Sequence, residues 1–594
     1  MGCCVSLFRR FTMLFNCFEW VVFMWCKQCN RESFSEKCDV CGSETQTDIP
    51  TEIYWCSYCH VPIIYYANEP FKQACSLCGG DTSYMCSDLR PVFPEERLLI
   101  EILLDKPLKY IKNSVWASAN RYYIDGKSKA IPMSLFEKTD VEEIRKLLNL
   151  YKSEDTDTVF YQNIDKFIRA NRDRLYNIVD EAHTFIKTAA ENFPIEQIII
   201  SFSGGKDSTV TADLTTKALS NPSLVHIFGD TTLEFPQTME YAERYRAENL
   251  RSIFKVVRNK DQDFDKVCED IGPPARMMRW CCSMFKTGPI TRIITSLYRD
   301  KNILTFYGIR KSESVSRSKY NRIEDNAEAV KIQKQTVASP IIDWKDIDIW
   351  LYILAEDIDF NYAYRLGYDR VGCWCCPNNN IRAQFLSKIY MPEQSKKWRD
   401  FLIKFAIQIG KPDPEIYVDT GKWKARQGGN GIESAKDVKV KFQNCTTENN
   451  AIIYSLSRPV DDTFYELFYP FGNVSKELGR KLINEVIVLD IKTSVPIISI
   501  QPFNQNDYEY AVKIRTMNVL NHDDMQRMIS YQIKKYNVCR KCLKCESLCK
   551  FGAISITGGE YHINDAKCKR CKMCVTAKYL EYGCLVGKYL RIKE

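Results

Sequence analysis

The stretch Gln197-Ile-Ile-Ile-Ser-Phe-Ser-Gly-Gly-Lys-Asp-Ser208 constrains this chain more than any other. An apolar run of buried-strand length breaks at Ser203, Gly204 and Gly205, and a helix-competent segment follows from Asp207 to about Ser220. A strand running through glycines into a helix N-terminus makes an anion cradle. The glycines let the backbone approach closely, successive N–H groups point at one spot, and the helix dipole adds positive potential. Lys206 supplies a point charge for phosphate oxygens, and Asp207 or Ser208 can cap the helix. Lys206 follows the glycine pair directly, so the pattern G-x-x-x-x-G-K-[ST] is excluded.

Around this stretch strand and helix patterns alternate. Residues 162–192 read as one long amphipathic helix leading into the cradle strand. After the cradle come an apolar run from Leu224, a helix near Pro236–Leu250, and further runs from Ile253 and Ile303. Such alternation predicts an α/β fold, a parallel sheet with helices on both faces. Ligands of such sheets bind beyond the carboxyl ends of the strands, so the loops at Ser203, Asp230 and Gly308 should meet at one crevice.

Ser203-Gly-Gly-Lys-Asp-Ser208 resembles the SGGxDS loop of the ATP pyrophosphatases (PP-loop, HUP-like fold). Four further stretches resemble motifs of phosphoadenosine phosphosulfate (PAPS) reductase-like proteins. They are Asp230-Thr-Thr-Leu-Glu-Phe-Pro236, Arg279-Trp-Cys281-Cys282-x-x-Phe-Lys286, Gly308-Ile-Arg310-x-x-Glu313-Ser314-x-x-Arg317, and Pro340–Trp344 with Asp348-Ile-Trp350. The likeness covers roughly residues 190–430. It implies nucleotide contacts at Ser203, Gly204, Gly205, Lys206, Asp207, Ser208, Asp230, Gly308 and Arg310, with catalytic roles for Lys206, Asp207 and Arg310. In the iron–sulfur branch of that family, adjacent cysteines and a distant C-x-x-C hold one [4Fe-4S] cluster, which implies Cys281, Cys282, Cys373 and Cys376 as ligands. Cys375 leaves a second choice within Cys-x-Cys-Cys, and four sulfurs would also suit zinc. Two departures stand out. The phosphate loop is intact, whereas reductases of this family usually carry a degenerate one. The C-terminal Glu-Cys-Gly-x-His motif of those reductases is absent.

The chain holds 27 cysteines, most of them in C-x-x-C pairs, a metal-ligand spacing rather than a disulfide framework. Cys26, Cys29, Cys38 and Cys41 form one set, and Cys56, Cys59, Cys75 and Cys78 a second; each can wrap one tetrahedral ion, with Gly42 and Gly79 allowing the turns. Two zinc ribbons are expected, with a rubredoxin-type iron site as the competitor, while His60 and Cys86 read as bystanders. Near the carboxyl end, Cys539-x-x-Cys542-x-x-Cys545-x-x-x-Cys549 and Cys568-x-x-Cys571-x-x-Cys574, followed by Cys584 after nine intervening residues, resemble a bacterial ferredoxin run. The crossing rule of such runs gives one [4Fe-4S] cluster to Cys539, Cys542, Cys545 and Cys584, and another to Cys549, Cys568, Cys571 and Cys574. Three clusters and two Zn²⁺ are thus expected. Thiolate ligands need a reducing compartment, so the reading is cytoplasmic, in an anaerobe.

The expected organisation is an amino-terminal leader at 1–23, which reads as a gene-model extension before Met24, then zinc ribbons at 24–90. A small β-rich module resembling a PUA-type RNA-binding barrel, or else a plain spacer, follows at 91–155. The PAPS reductase-like domain spans 156–435, an α+β module 436–530, and the ferredoxin-type domain 531–594. Phe11–Trp25 is largely apolar but, at 15 residues, short for a membrane span, and no membrane partner is expected. From Lys534 to Glu594 there are 14 Lys+Arg and 5 Asp+Glu, a net +9 against +8 for the whole chain. That tail can dock an acidic, low-potential electron donor or the phosphates of RNA. A homo-oligomer stays open. The intact loop favours an ATP-dependent (Mg²⁺-assisted) adenylation and sulfur transfer. The alternative is an adenylyl-sulfate or PAPS reductase releasing sulfite, and a third reading is an electron-transfer or nucleic-acid-binding scaffold.

Overall fold

Six strands form the central sheet: β1 (Ile198–Phe202), β2 (Val225–Gly229), β3 (Ile253–Val257), β4 (Ile303–Tyr307), β5 (Ile323–Glu324) and β6 (Gln335–Ala338). Their order is β3-β2-β1-β4-β6-β5, parallel except for the short edge strand β5. The computed structural model describes residues 24–26, 31–33, 37–38, 40–43, 51–66, 74–119, 121–154, 157–298, 301–325, 334–438, 440–505, 508–557, 560–577 and 583–592. The leader at 1–23 and Cys29 lie outside the described residues.

Both faces of the sheet are covered, and the strand period of two divides the apolar run of β1 between them. Ile198, Ile200 and Phe202 pack with Ile186 of α1 (Arg172–Ala190), Val210 and Leu214 of α2 (Lys206–Ala218), Tyr241 and Tyr245 of α3 (Pro236–Glu248). Ile199 faces the other way, onto Ile294 and Tyr298 of α4 (Gly288–Tyr298). The helix expected over 162–192 is two helices, Thr158–Ala170 and α1, broken at Asn171. There the Asn171 amide reaches across to the amino-terminal sheet, accepting from the Ile64 N–H at 2.8 Å and donating to the Pro62 carbonyl at 3.0 Å.

That amino-terminal sheet is Val61–Tyr66, Thr51–Cys56 and Thr82–Cys86, antiparallel. The segment expected to be β-rich is an open four-stranded meander, from Arg90–Pro91 to Lys127–Ala130, accompanied by helices at Pro94–Leu103, Met133–Lys138 and Val141–Tyr151. It is not a closed barrel. Its Asp125-Gly126 turn has positive φ at both residues, and a Cβ on Gly126 would fall 2.4 Å from the Trp55 ring, so glycine is what lets the ribbon seat here. Beyond the α/β domain lies a six-stranded antiparallel sheet of Phe442–Asn444, Ala451–Leu456, Asn473–Ser475, Val486–Leu489, Pro496–Gln505 and Tyr508–Thr516. The helix His522–Val538 leads to the last cysteines, and one core joins Trp280, Met284 and Phe285 of the α/β domain to Ile500, Ile533 and Leu543.

Candidate functional site

The cradle turns tightly at Gly204, whose φ of +70° puts a hypothetical Cβ 2.9 Å from Thr238. Gly308, after β4, lies so close to α2 that a Cβ there would stand 2.6 Å from the Asp207 carbonyl. Both glycines are therefore required by geometry. The first residue of α2 is Lys206, and neither Asp207 nor Ser208 caps the helix. The Ser208 hydroxyl donates back to the Gly205 carbonyl at 2.8 Å and accepts from the Ser203 N–H at 3.1 Å, while Asp207 turns to Arg310.

Lys206, Asp207 and Arg310 meet a fourth group that the sequence reading missed, Asp346 at the start of α5 (Asp346–Ala355). Lys206 Nζ stands 3.2 Å from Asp346 and 3.5 Å from Asp207, and Arg310 bonds Asp207 at 2.5 Å and Asp346 at 2.9 Å. Burial pulls the Lys206 ammonium down, but Asp207 and Asp346 hold it above its ordinary value. Burial pushes Asp207 up, and Lys206 with Arg310 hold it below. Tyr364 completes the wall, its hydroxyl accepting from the Lys206 N–H at 3.1 Å. Asp230 does not join: its buried carboxylate is taken by Arg258 Nε at 2.9 Å and by the Thr232 N–H at 2.8 Å. Its place at the end of β2 was visible in the sequence; its arginine partner was not.

A cavity of about 790 Å³ opens from this cradle, bounded by Ser203–Ser208 and Gly308–Arg310 at one end and by Lys286, Glu234 and Cys373 at the other. Asp88 and Ala117–Ala119, from the amino-terminal modules, form part of its wall. Burial pushes Asp88 up to about 6, aided by Asp346, against the pull of the Asp346 and Ile347 N–H donors and Arg310.

At the sulfur end, Cys373 pairs with Glu234 through a backbone bridge, and its Sγ stands 3.6 Å from the Thr231 hydroxyl. Burial and Glu234 push the Cys373 thiol up to about 12. Cys281 and Cys282 are hydrogen-bonded neighbours, and both Cys373 and Cys376 lie close enough to feel the Cys282 charge. The Cys281 bond, with Arg279 and Lys286, draws Cys282 down to about 6 against its burial. Cys375 is buried in the core, with Cys373, Cys268 and Cys376 as neighbours, and Cys281 feels it as well.

The carboxy-terminal cysteines lie near one another: Cys539, Cys542 and Cys545 each feel Cys584, Cys568 feels Cys549 and Cys571, and Cys574 feels Cys545 as well as Cys549 and Cys568. The two loops repeat one backbone shape, with Lys541 and Leu543 in the first and Arg570 and Lys572 in the second all at positive φ. Non-glycine residues keep such a shape only where their surroundings demand it. Between the sets, the buried Tyr561 hydroxyl has no nitrogen or oxygen partner and faces Cys545, a donor turned toward sulfur. Tyr589 feels Cys542 on one side and Cys281 and Cys282 on the other. The carboxy-terminal cysteines thus lie beside Cys281 and Cys282, at the sulfur end of the cavity.

The ribbon set differs. Cys56, Cys59, Cys75 and Cys78 have all four sulfurs within 4.8 Å of one another, with Cys56–Cys78 at 3.6 Å and Cys59–Cys75 at 3.9 Å. A tetrahedron of sulfurs about 2.3 Å from one zinc has edges of about 3.8 Å, so the set fits a zinc ribbon. Of the other amino-terminal set, Cys38 is buried and Cys41 exposed, Cys26 ends a short strand, and Cys29 lies outside the described residues.

The sheet, its cradle and its crevice define an α/β domain of the PP-loop, adenine nucleotide alpha hydrolase-like fold. Residues 197–379 match the phosphoadenosine phosphosulfate reductase domain, and this part of the chain is such a domain. An uncharacterised protein of Methanocaldococcus jannaschii is 35% identical over 263 residues, 44% of this chain and 53% of the relative, so the chain spans about half of that protein's length. Adenosine 5'-phosphosulfate reductase 1 of Bacillus subtilis is 25% identical over 195 residues, 32% of this chain and 78% of the relative. Among solved structures, a PAPS reductase from Candida auris in a phosphate complex is 18% identical with a TM-score of 0.27, covering 35% of this chain and 97% of that one. Among the described residues no helix is long and apolar enough to cross a membrane.

Proposed function

We propose that this protein is an iron–sulfur enzyme of sulfur chemistry that binds an adenine nucleotide in the cavity and draws electrons through its carboxy-terminal cysteine sets. The observation that carries the reading is the cavity itself, with a phosphate cradle at one end and Cys373 at the other. Two cations facing two carboxylates are nearly neutral together. Asp207 and Asp346 are the residues that would hold a Mg²⁺ arriving with the nucleotide, which frees Lys206 and Arg310 for phosphate oxygens.

The intact loop favours ATP. An acceptor oxygen attacks the α-phosphorus, pyrophosphate leaves, and a sulfur nucleophile then displaces AMP from the adenylated acceptor. RNA is the acceptor class that the +9 tail suits. A second reading is favoured by the run of cysteine sets leading to the cavity and by the likeness to adenosine 5'-phosphosulfate reductases: two electrons reduce an adenylyl sulfate to sulfite and AMP. Clusters held at Cys281/Cys282/Cys373/Cys376 and in the two carboxy-terminal sets would supply the one-electron steps.

Anaerobically purified protein should release pyrophosphate from ATP in the presence of the acceptor, and Lys206→Ala should lose nucleotide binding while its iron–sulfur absorbance stays. Sulfite release from adenylyl sulfate without pyrophosphate release from ATP would replace the first reaction by the second. Unchanged ATP affinity in Lys206→Ala would overturn the cradle.

A further inference from the structure

Asp88 lies two residues beyond the last ribbon strand, Thr82–Cys86, yet its carboxylate is engaged with α5, 258 residues away in sequence. Its two oxygens accept the N–H groups of Asp346 at 3.1 Å and Ile347 at 3.2 Å, the first free donors of that helix. Asp346, like Asp207, touches both Lys206 and Arg310. A second ribbon residue reaches the same helix end: the Thr51 hydroxyl accepts from Arg174 at 3.4 Å, and Arg174 clasps Asp348 at 2.6 and 2.9 Å. Thr51 opens the strand that ends at Cys56, and that strand pairs with Thr82–Cys86. The path from the four sulfurs to the phosphate cradle is therefore two strands, one carboxylate and one helix turn.

We infer that the Cys56–Cys78 ribbon is a working part of the nucleotide site, joined to it by Asp88 as the positioning residue for Asp346. The inference rests on the reading that the cavity takes an adenine nucleotide. When the four sulfurs close on an ion, the ribbon strands are fixed and Asp88 is held against α5. Without the ion the strands lose their staple, α5 loses a cap supplied from outside itself, and Asp346 loses its set position between Lys206 and Arg310. Coupling of this kind is reciprocal: an ion that tightens nucleotide binding must itself be held more tightly when nucleotide is bound.

The test uses the full chain, Mg·ATP and a zinc-selective chelator in competition. ATP affinity is read by calorimetry, and zinc affinity by partition into the chelator. Saturating ATP should raise zinc affinity about tenfold in the unaltered protein, and stripping the zinc should weaken ATP by the same factor. Asp88→Ala should bind ATP about tenfold more weakly and lose the ATP effect on zinc while still holding zinc. Asp88→Asn keeps one acceptor oxygen and should recover part of both; it also serves if the alanine variant does not fold. A residue that merely stabilises the fold would leave the ATP–zinc linkage intact. ATP binding that is lost in Lys206→Ala but indifferent to zinc and to Asp88 would overturn the coupling alone. Failure of the unaltered protein to bind ATP would overturn the underlying nucleotide reading instead.

Discussion

At the amino-terminal end four sulfurs stand close enough to hold a single ion, and the helix-bearing module next to their ribbon is fastened to the α/β domain by buried charge set within an apolar core. Glu96, with no exposed surface, accepts from Arg90 at 2.6 and 2.8 Å, from the Tyr122 hydroxyl at 2.7 Å and from Arg382 of the α/β domain. At the carboxyl end the sulfurs are spread more widely: among the described residues no other group of three or more ligand atoms is within 4.8 Å of one another. A four-iron cubane that takes one thiolate per iron needs that wider spread. This module is fastened by apolar contact, with Leu543 pressed against Gly288, where a Cβ would fall 2.6 Å from the leucine side chain. Buried ion pairs are directional and costly to misplace, so they fix geometry. Apolar contact is non-directional and excludes water. The first kind of joint suits a module that must set Asp88 against α5. The second suits one that keeps solvent away from the buried Cys542 and Cys545.

The largest effect should follow from cutting the charged joint. Glu96→Gln leaves Arg90 and Arg382 with only the part-exposed Asp369, 2.8 Å from Arg90, and should cost about 3–5 kcal/mol, measured by urea unfolding at pH 7. The pH dependence gives an independent check. Burial pushes the Glu96 carboxyl up, but Arg90 and Arg382 bring it down to about 2, from an ordinary value near 4.5. Its folded pKa is depressed, so its contribution is complete above about 4.5 and is lost as the pH falls toward 2. By that shift it amounts to about 3 kcal/mol. The gap between the two proteins should therefore shrink below pH 4.5; a gap constant from pH 7 to 3 would show that the joint is not electrostatic.

Cutting the apolar joint should cost somewhat less. Leu543→Ala removes a side chain that is 1% exposed and should destabilise the carboxy-terminal module by about 2–5 kcal/mol. Because Leu543 lies between Cys542 and Cys545, the loss should also appear as faster bleaching of iron–sulfur absorbance in denaturant. Bleaching at the unaltered rate would mean that Leu543 does not help seal the site.

These two joints differ in how far the sequence revealed them. The cradle was legible because a glycine pair, a lysine and a helix start are local features, and the cysteine sets because ligand spacing is local too. The sheet followed from apolar runs in β1, β2 and β4. Asp346 and Asp88 were missed because each acts through a partner far away in sequence, and Glu96 meets Arg382 across 286 residues with no periodic signal. Asp230 was placed in the site because its loop ends a strand, but Arg258, at the end of β3, claims its carboxylate. The break at Asn171 was hidden because asparagine is tolerated inside an amphipathic pattern and its reason lies in Pro62 and Ile64. Tyr508–Thr516 was a different omission. Its alternation of Val512, Ile514 and Thr516, all buried, was there to be read.

The smallest effect should come from an ionic contact in the apolar joint, and it tests whether that joint is as apolar as its core implies. Arg292, on α4, bonds Glu546 at 2.8 and 3.2 Å and also the Ile556 carbonyl at 3.1 Å and Asp261 at 3.2 Å. Its side chain is 36% exposed, so water screens the pair. Glu546 keeps another donor, the Ile556 N–H at 3.0 Å, when the arginine is gone. Arg292→Met preserves most of the aliphatic stem that lies along the interface and removes only the guanidinium. The expected cost is under about 1 kcal/mol, falling further in added salt. The measurement is the urea midpoint of iron–sulfur bleaching at low and high ionic strength, beside that of Leu543→Ala. A loss for Arg292→Met as large as that for Leu543→Ala would mean that charge, not exclusion of water, holds both ends of the chain in place, and the contrast between the two joints would be gone.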